Sequence, residues 1–502
     1  MIESKKKKSF FTFLTALIFT LLHGFLGLIT TRLILGVYGS DFNGVNATAN
    51  QFVNILLLLE GGFTLSTNVA LFKPLSNDDE NEVNRVLVAT SKIFQRVGTI
   101  FLIVGIIASA LYIKVINTEI PQLQVFLLFL FTIIPSAFNL IYTSKYAVLL
   151  QAEQKEYLIN AINTFIIILT QTLLILVTSF RLHYLFIRIA HMTCSIIASI
   201  TIVYICKKNN KTLNLHVEPN YSAIKGTKDV LIQKITGLIY GTVPVLYMSI
   251  FLGSVYVSVY AVYNSIFTLV KNILYSLVNA PRMSFGALIA EKDTEYVKEQ
   301  FLLYEFIIVF FSTIIFCSAL VMIIPFILLY TRGITDIEYN DNRIAIMLTL
   351  IGFVEIIHIP SGHIINMSGN FSYSKKFQLV AAILLIVLIP IASHYWGFIG
   401  ILVSIFCAAI ALAIMEIAYI HNRYFHKTLG RINRIIFSNL LFSTLLSIIE
   451  LHYINNIDSY YKFFIIGFIV LLANSFILLV VNYLINRKEV VQVLNLIKNR
   501  IL

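Results

Sequence analysis

The chain has 502 residues, 58% of them hydrophobic and 12% charged. An ordinary soluble domain is about 25% charged, so this composition excludes a soluble enzyme and leaves no room for a large extramembrane domain. The net charge of +12 invites a nucleic-acid reading, but the basic residues cluster on one side of the apolar runs. With the N-terminus in the cytoplasm, about 26 of the 37 Lys and Arg fall in cytoplasmic segments and about five outside. The charge is thus a topology signal and a contact with anionic headgroups, and no nucleic-acid partner is expected.

A membrane-spanning helix takes about 20 mainly apolar residues. Roughly fourteen such runs follow one another, near 10–35, 46–70, 97–117, 124–150, 158–179, 184–206, 231–252, 256–283, 301–329, 343–366, 377–395, 399–420, 436–452 and 461–486. Backbone groups in lipid are satisfied only within such a segment, so the runs are helices. The expected fold is an all-α polytopic membrane protein with about 14 transmembrane helices.

In chain order, Lys5–Lys8 precede an apolar run from Phe10 that is too long for a cleavable leader and lacks a small-residue cleavage site; it predicts an uncleaved first span. The outer loops Gly36–Gly44, Asn117–Gln122, Phe180–His183, Gly253–Val255, Tyr330–Asn342 and His394–Phe398 are too short for a domain. The longest inner connections are Lys73–Arg96, Lys207–Val230 and Ser284–Gln300, the second being the most polar. Gly and Pro inside spans (Gly61-Gly62, Pro135, Gly241 with Pro244, Pro325, Pro360, Pro390) mark close packing or bends. Cys194, Cys206, Cys317 and Cys407 lie in or at the edge of spans and predict neither disulfides nor a metal site.

A weak internal repeat runs at an offset of about 215 residues. Leu35-Gly36-Val37-Tyr38 and Leu252-Gly253-Ser254-Val255-Tyr256 end the first and seventh spans; acidic loops, Asn77–Val83 and Glu291–Val297, follow the second and eighth. The expected organisation is two six-helix bundles with pseudo-two-fold symmetry, residues 1–206 and 231–420, joined by a cytoplasmic linker 207–230. Residues 421–502 supply two extra C-terminal helices and a cytoplasmic tail. The even span count places both termini in the cytoplasm.

Ionisable groups at the centre of a span cost at least about 2.5–3.5 kcal/mol each on insertion scales, so they pair, snorkel or face a cavity. Six basic residues stand within spans: Arg32, Lys145, Arg188, Lys234, Lys271 and Arg282. Lys234 and Arg282 are close enough to a span end to snorkel. Lys271 is mid-span, and Arg188 and His191 share a face at i and i+3. The acidic set is Glu60, Glu305, Glu355, Glu416 and Glu450, with Glu60 and Glu355 the deep ones and His358 one turn after Glu355. In the first half Arg32, Lys145 and Arg188 face only Glu60. The excess suits a diphosphate, which Arg binds by its fork and Lys as a point charge. Arg32, Lys145, Arg188 and Lys271 are therefore the expected substrate-binding residues. Glu60, Glu355, His358 and His191 are the expected ion-coupling groups or charge partners. No Walker loop, His-Glu-x-x-His pair or nucleophile elbow occurs; no catalytic residue, metal or cofactor is expected.

Arg32-Leu33-Ile34-Leu35-Gly36-Val37-Tyr38-Gly39 and Leu58-Leu59-Glu60-Gly61-Gly62-Phe63 resemble the opening of polysaccharide (O-antigen and capsule) flippases of the multidrug/oligosaccharidyl-lipid/polysaccharide exporter superfamily. Leu149–Glu153, Ala287–Asp293, Leu329–Gly333, Ile365–Phe371 and Trp396–Gly400 extend the likeness in order over residues 10–420. The resemblance implies a V-shaped cavity between two bundles, alternating access, and transfer of a polyprenyl-diphosphate-linked oligosaccharide to the outer leaflet of the bacterial inner membrane. The expected partners are that substrate, membrane lipids, and a polysaccharide polymerase with its chain-length machinery. The chain departs from many relatives at Thr242-Val243-Pro244-Val245, where those carry an acidic residue. The two extra spans resemble those of lipid II flippases, in which the added pair makes a lipid groove. The competing readings are a proton- or sodium-coupled multidrug antiporter, which favours acidic cavities, and a membrane polymerase or ligase, which needs a sizeable outer loop.

Overall fold

A computed structural model describes the backbone of residues 2–501 apart from 61, 212, 225–227, 280, 427 and 455–456, and the side chains of fewer. Gly61, Lys225 and Lys427, and the side chains of Lys5–Lys8, Lys228, Lys234, Lys498 and Arg500, lie outside the described residues. The described residues are helices and short connections, without a strand.

The chain divides into two compact units, Met1–Ala261 and Val262–Leu502. The first holds α1 (Ile2–Leu56), α2 (Phe63–Ser76), α3 (Glu80–Tyr112), α4 (Gln122–Phe138), α5 (Ser144–Ala152), α6 (Glu156–Ser179), α7 (Leu185–Asn209), α8 (Lys228–Phe251) and the start of α9 (Ser254–Asn279). The second holds the rest of α9, α10 (Arg282–Glu291), α11 (Thr294–Tyr330), α12 (Asn342–Ile357), α13 (Ile359–Met367), α14 (Phe371–Ala418), α15 (Gly430–Tyr453), α16 (Tyr460–Ile485) and α17 (Arg487–Ile501).

Eleven helices among the described residues are long and apolar enough to cross a membrane. Two of these, Leu14–Glu60 and Phe371–Tyr424, are broken by Gly39 (φ 79°) and Gly397 (φ 54°), so each contains two of the expected spans. Positive φ costs a side chain with a Cβ but not glycine. Ile235–Phe251 is a shorter apolar helix and takes the seventh expected place. Among the described residues each of the fourteen apolar runs is thus mainly helical. Their outward faces are apolar, as on α3 (Ile100, Ile103, Ile107, Leu111) and α14 (Leu379, Ile383, Ile386), which is the surface a bilayer solvates.

The two acidic loops are helix caps. Asp79 accepts the backbone N–H of Glu82 (3.0 Å) at the start of α3, and Asp293 accepts that of Tyr296 (3.1 Å) at the start of α11. Each satisfies an orphan donor, worth about 1 kcal/mol, and each starts a helix longer than its apolar run.

In the first unit the core gathers around the second part of α1, where Phe42, Val45, Ala49 and Phe52 are buried. Phe52 meets the Phe129 ring of α4 edge-on (5.1 Å) and the Tyr112 ring of α3 at a tilt (5.4 Å). In the second unit α11 is central, packed by α12, α15 and α16. The appended pair is zipped by buried amides. Asn439 and Asn482 exchange hydrogen bonds (3.1 and 2.9 Å), Asn486 donates to Asn482 and Ser438, and Asn474 reaches Ser318 of α11 (3.1 Å). In lipid such bonds average about 0.6 kcal/mol and set register more than strength.

Candidate functional site

In the first unit the predicted cations stand at opposite ends. Arg188, in the first turn of α7, is 4% exposed. Its guanidinium donates to Asn50 Oδ1 (3.0 Å) and to the carbonyl of Asn46, both on α1 beyond the Gly39 break, and its Nε is buried without a partner. No carboxylate lies within ion-pair reach of it among the described residues. A fully buried cation held by neutral dipoles alone keeps its positive potential. His191 follows one turn later, half-buried. Arg32 is half-buried about 10 Å before the Gly39 break along its helix, with its guanidinium running towards Gly36, where a Cβ would meet Nη1 at 3.3 Å.

Lys145 belongs to the other end. It donates to Ser91 Oγ (2.8 Å) and lies 5.2 Å from the centroid of the Tyr146 ring, with Lys207 5.7 Å from that ring. Lys207 is nineteen residues beyond Arg188 on the same helix, about 28 Å at 1.5 Å per residue. The expectation that Lys145 and Arg188 share one place is therefore not met: the helix that carries Arg188 runs the length of the unit before it meets Lys145. Glu60 ends a 3₁₀ turn, Leu57–Glu60, and its Oε1 accepts the N–H of Thr64 (3.3 Å) across Gly62 (φ 81°); part of its work is capping α2.

A polar hub near the Gly39 break was not anticipated from sequence. The carboxylate of Asp41 accepts from Thr118 Oγ1 (2.9 Å), from the N–H of Glu119 (3.0 Å) and from Ser254 Oγ. Asn117 and Ser254 add backbone bonds, Asn117 N to Ser249 O and Ser254 N to Asn117 O (2.9 Å each). Asn43 Nδ2 donates to Ser258 Oγ (2.8 Å). The backbones approach so closely that a Cβ on Gly44 would lie 1.7 Å from Ser254 O, so only glycine fits. The turn from α8 into α9 is thereby latched, within the first unit, onto α1 and the α3–α4 loop.

In the second unit Lys271 Nζ meets Glu355 Oε2 at 2.9 Å, both side chains about one-sixth exposed. Lys271 thus has a carboxylate beside it, and Glu355 does not use His358. The one-turn spacing fails because α12 ends at Ile357; His358 sits at the break into α13 and its Nδ1 lies 2.7 Å from Glu416 Oε2 on α14. Glu416 is 3% exposed and has room because residue 362 is glycine; a Cβ there would meet its Oε2 at 2.9 Å. A second pair, Glu305 Oε1 with His421 Nε2 (2.9 Å), is almost fully buried. His421 lies on a π-helical turn, Tyr419–Tyr424, that closes α14. Tyr304 links Val278 O (2.7 Å) and His363 Nδ1 (3.2 Å). No group of residues able to hold a metal occurs among the described residues.

An apolar groove of about 370 Å³ opens where α12, α14 and α15 meet, lined by Val354, Ile357, Ile410, Ile417, Leu429 and Ile436, with Asn433 as its polar group.

No protein-family model matches this sequence, and no curated protein does. Solved structures do. A lipid II flippase in its inward closed conformation superposes with a TM-score of 0.65 at 14% identity, over 94% of this chain and 99% of its own. A multidrug-resistance transporter of the MOP superfamily, inward-facing, gives 0.60 at 14% identity over 78% and 93%. The chain has the MOP transporter fold. A third MOP member, from Pyrococcus furiosus, is described as having a binding pocket of reversed polarity; it superposes at 0.55 with 16% identity over 84% and 97%. At these identities it is the fold that is shared. The fold and the long apolar helices together are those of a multi-pass membrane protein.

Proposed function

We propose that this protein is a flippase that moves a polyprenyl-diphosphate-linked oligosaccharide from the cytoplasmic to the outer leaflet of the bacterial cytoplasmic membrane by alternating access, for surface polysaccharide assembly. The observation that carries the reading is Arg188, buried in a membrane span with no carboxylate beside it among the described residues. A cation in that setting costs several kcal/mol and attracts an anion. Arg32 on the first span, Lys145 at the far end of the unit from Arg188 and Lys271 in the second unit extend the cationic series, and a diphosphate is its natural counter-ion. Glu355 is the partner that keeps the charge of Lys271 in place until phosphate replaces it.

Alternating access requires a contact that breaks. The Asp41 latch suits that role, since its donors come from two separate segments, the α3–α4 loop and the start of α9. The 370 Å³ groove beside α15 is apolar enough for a stretch of polyprenyl chain. The reading takes residues 1–206 and 231–420 as the two six-helix halves and places both termini and the 207–230 linker in the cytoplasm. The polymerase and chain-length machinery are the partners it implies.

A second reading, a proton- or sodium-coupled multidrug antiporter, is favoured by the buried carboxylate–imidazole pairs Glu416–His358 and Glu305–His421. In the flippase reading the same groups, with Glu355, Glu60 and His191 as further candidates, couple transport to an ion. Complementation of a flippase-null strain separates the two: the flippase restores surface polysaccharide, whereas the antiporter restores only drug resistance in an efflux-deficient strain.

A further inference from the structure

We propose that each unit carries its own phosphoryl-binding platform, two cations anchored on one tyrosine: Lys145 and Lys207 on Tyr146 in the first, Lys376 and Arg423 on Tyr373 in the second. In the second unit the Arg423 guanidinium carbon lies 5.0 Å and Lys376 Nζ 5.7 Å from the Tyr373 centroid, and the Tyr419 ring packs on Tyr373 at 4.6 Å. Both platforms adjoin a π-helical turn, Asn139–Thr143, which ends two residues before Lys145, and Tyr419–Tyr424, which holds Arg423. Such turns recur at functional sites because they re-aim side chains off the helical period. Lys207 and Arg423 each stand in the last turn of their element, separated by the same offset of about 215 residues that relates the two acidic caps.

A helix C-terminus favours a cation, and that alone accounts for Lys207 and Arg423. It does not account for Lys145 or Lys376, which come from other elements near their starts. A tyrosine face attracts one cation; a second like charge beside it gains less and repels the first, and Lys207 acts on Lys145 in this way. Among the described residues none of the four cations has a carboxylate within ion-pair reach. Lys145 is half-buried and spends one of its three donors on Ser91. What the arrangement lacks is an acceptor with several oxygens and more than one negative charge, which is a phosphoryl group. Its source is either the diphosphate of the polyprenyl carrier or the phosphodiester of a bilayer lipid. The first source rests on the flippase reading; the second does not.

The test is native mass spectrometry of the full chain in phosphatidylcholine nanodiscs, with polyprenyl diphosphate and phosphatidylglycerol as separate probes. The double variants Lys145→Gln/Lys207→Gln and Lys376→Gln/Arg423→Gln are each expected to weaken polyprenyl diphosphate binding by about tenfold. The control Lys92→Gln/Lys208→Gln, which removes two exposed lysines, should change it less than about twofold. Lys145→Arg/Lys207→Arg keeps the charge and should retain binding, which separates a lost site from a lost fold. If phosphatidylglycerol binding falls in parallel, the platforms take bilayer headgroups as well; if only the diphosphate falls, the carrier is their ligand. A wild-type chain that binds phosphatidylglycerol through these pairs but not polyprenyl diphosphate would leave the platforms standing and sink the flippase reading. Wild-type binding of both probes by both Gln variants, or an equal loss in the control, would overturn the platforms.

Discussion

The carboxylate of Asp41 accepts the hydroxyl of Ser254, 213 residues further along the chain. With Thr118 and Glu119 on the same carboxylate, this one side chain ties the break after the first span, the α3–α4 loop and the start of α9 together. Hydrogen bonds to a charged group are worth about 1.5–3 kcal/mol each. Asp41→Ala is therefore expected to cut transport at least about tenfold and to raise the labelling rate of a cysteine placed at buried Ser249. Unchanged labelling with unchanged transport would show that the latch does not move.

Arg188→Lys should fail where a simple charge requirement would let it pass. The guanidinium reaches Asn50 and Asn46 at once, and a lysine is a point contact. Arg188→Ala removes both charge-assisted bonds, at about 1.5–3 kcal/mol each, and should lower the melting midpoint as well as transport. Full transport by the lysine variant, normalised to membrane abundance, would contradict a fork-dependent role.

Lys271 and Glu355 form a pair whose purpose a double-variant cycle decides. If Lys271 handles substrate, Lys271→Gln abolishes transport and the added Glu355→Gln does not restore it. Restored transport in the double variant would make the pair purely structural, since removing both partners of a shielded pair is often close to neutral.

Gly362→Ala tests the Glu416–His358 contact without touching either group. The added Cβ meets Glu416 Oε2 at 2.9 Å and should push the end of that side chain off the imidazole, at about 1–3 kcal/mol in stability. Transport driven by an imposed pH gradient is expected to fall as far as in Glu416→Gln. A Gly362→Ala chain with normal gradient-driven transport would remove this pair from coupling.

Much of the fold was legible because it is local. Each apolar run announces its own helix, and the acidic loops Asn77–Val83 and Glu291–Val297 appear as the caps Asp79 and Asp293. The candidate site was less legible because it depends on where helices break. His358 looks like a partner of Glu355 only while α12 continues, and α12 stops at Ile357. His421 lies on a π-helical turn, off the period of α14, and pairs with Glu305, 116 residues away in sequence. The pairing of Asp41 with Thr118 and Ser254 spans 77 and 213 residues, and no periodicity encodes it. Charge alone groups Lys145 with Arg188, whereas the length of α7 separates them.

Orientation follows from the same charge asymmetry that identifies the inner loops. In a chain lacking its four native cysteines, Ser222→Cys, exposed in the linker, should resist a membrane-impermeant thiol reagent in intact cells and react after permeabilisation. Labelling in intact cells would invert the topology.

The central claim is that the chain moves a diphosphate-linked lipid by means of buried cations. The most direct measurement is translocation of a fluorescent polyprenyl-diphosphate oligosaccharide across proteoliposomes containing the purified full chain, read by quenching of the outer leaflet. The account predicts transfer by the wild type that falls to the protein-free rate in the triple variant Arg32→Ala, Arg188→Ala, Lys271→Ala. Transfer by the triple variant at the wild-type rate, or no transfer by a wild-type chain that expels a cationic drug, would contradict it.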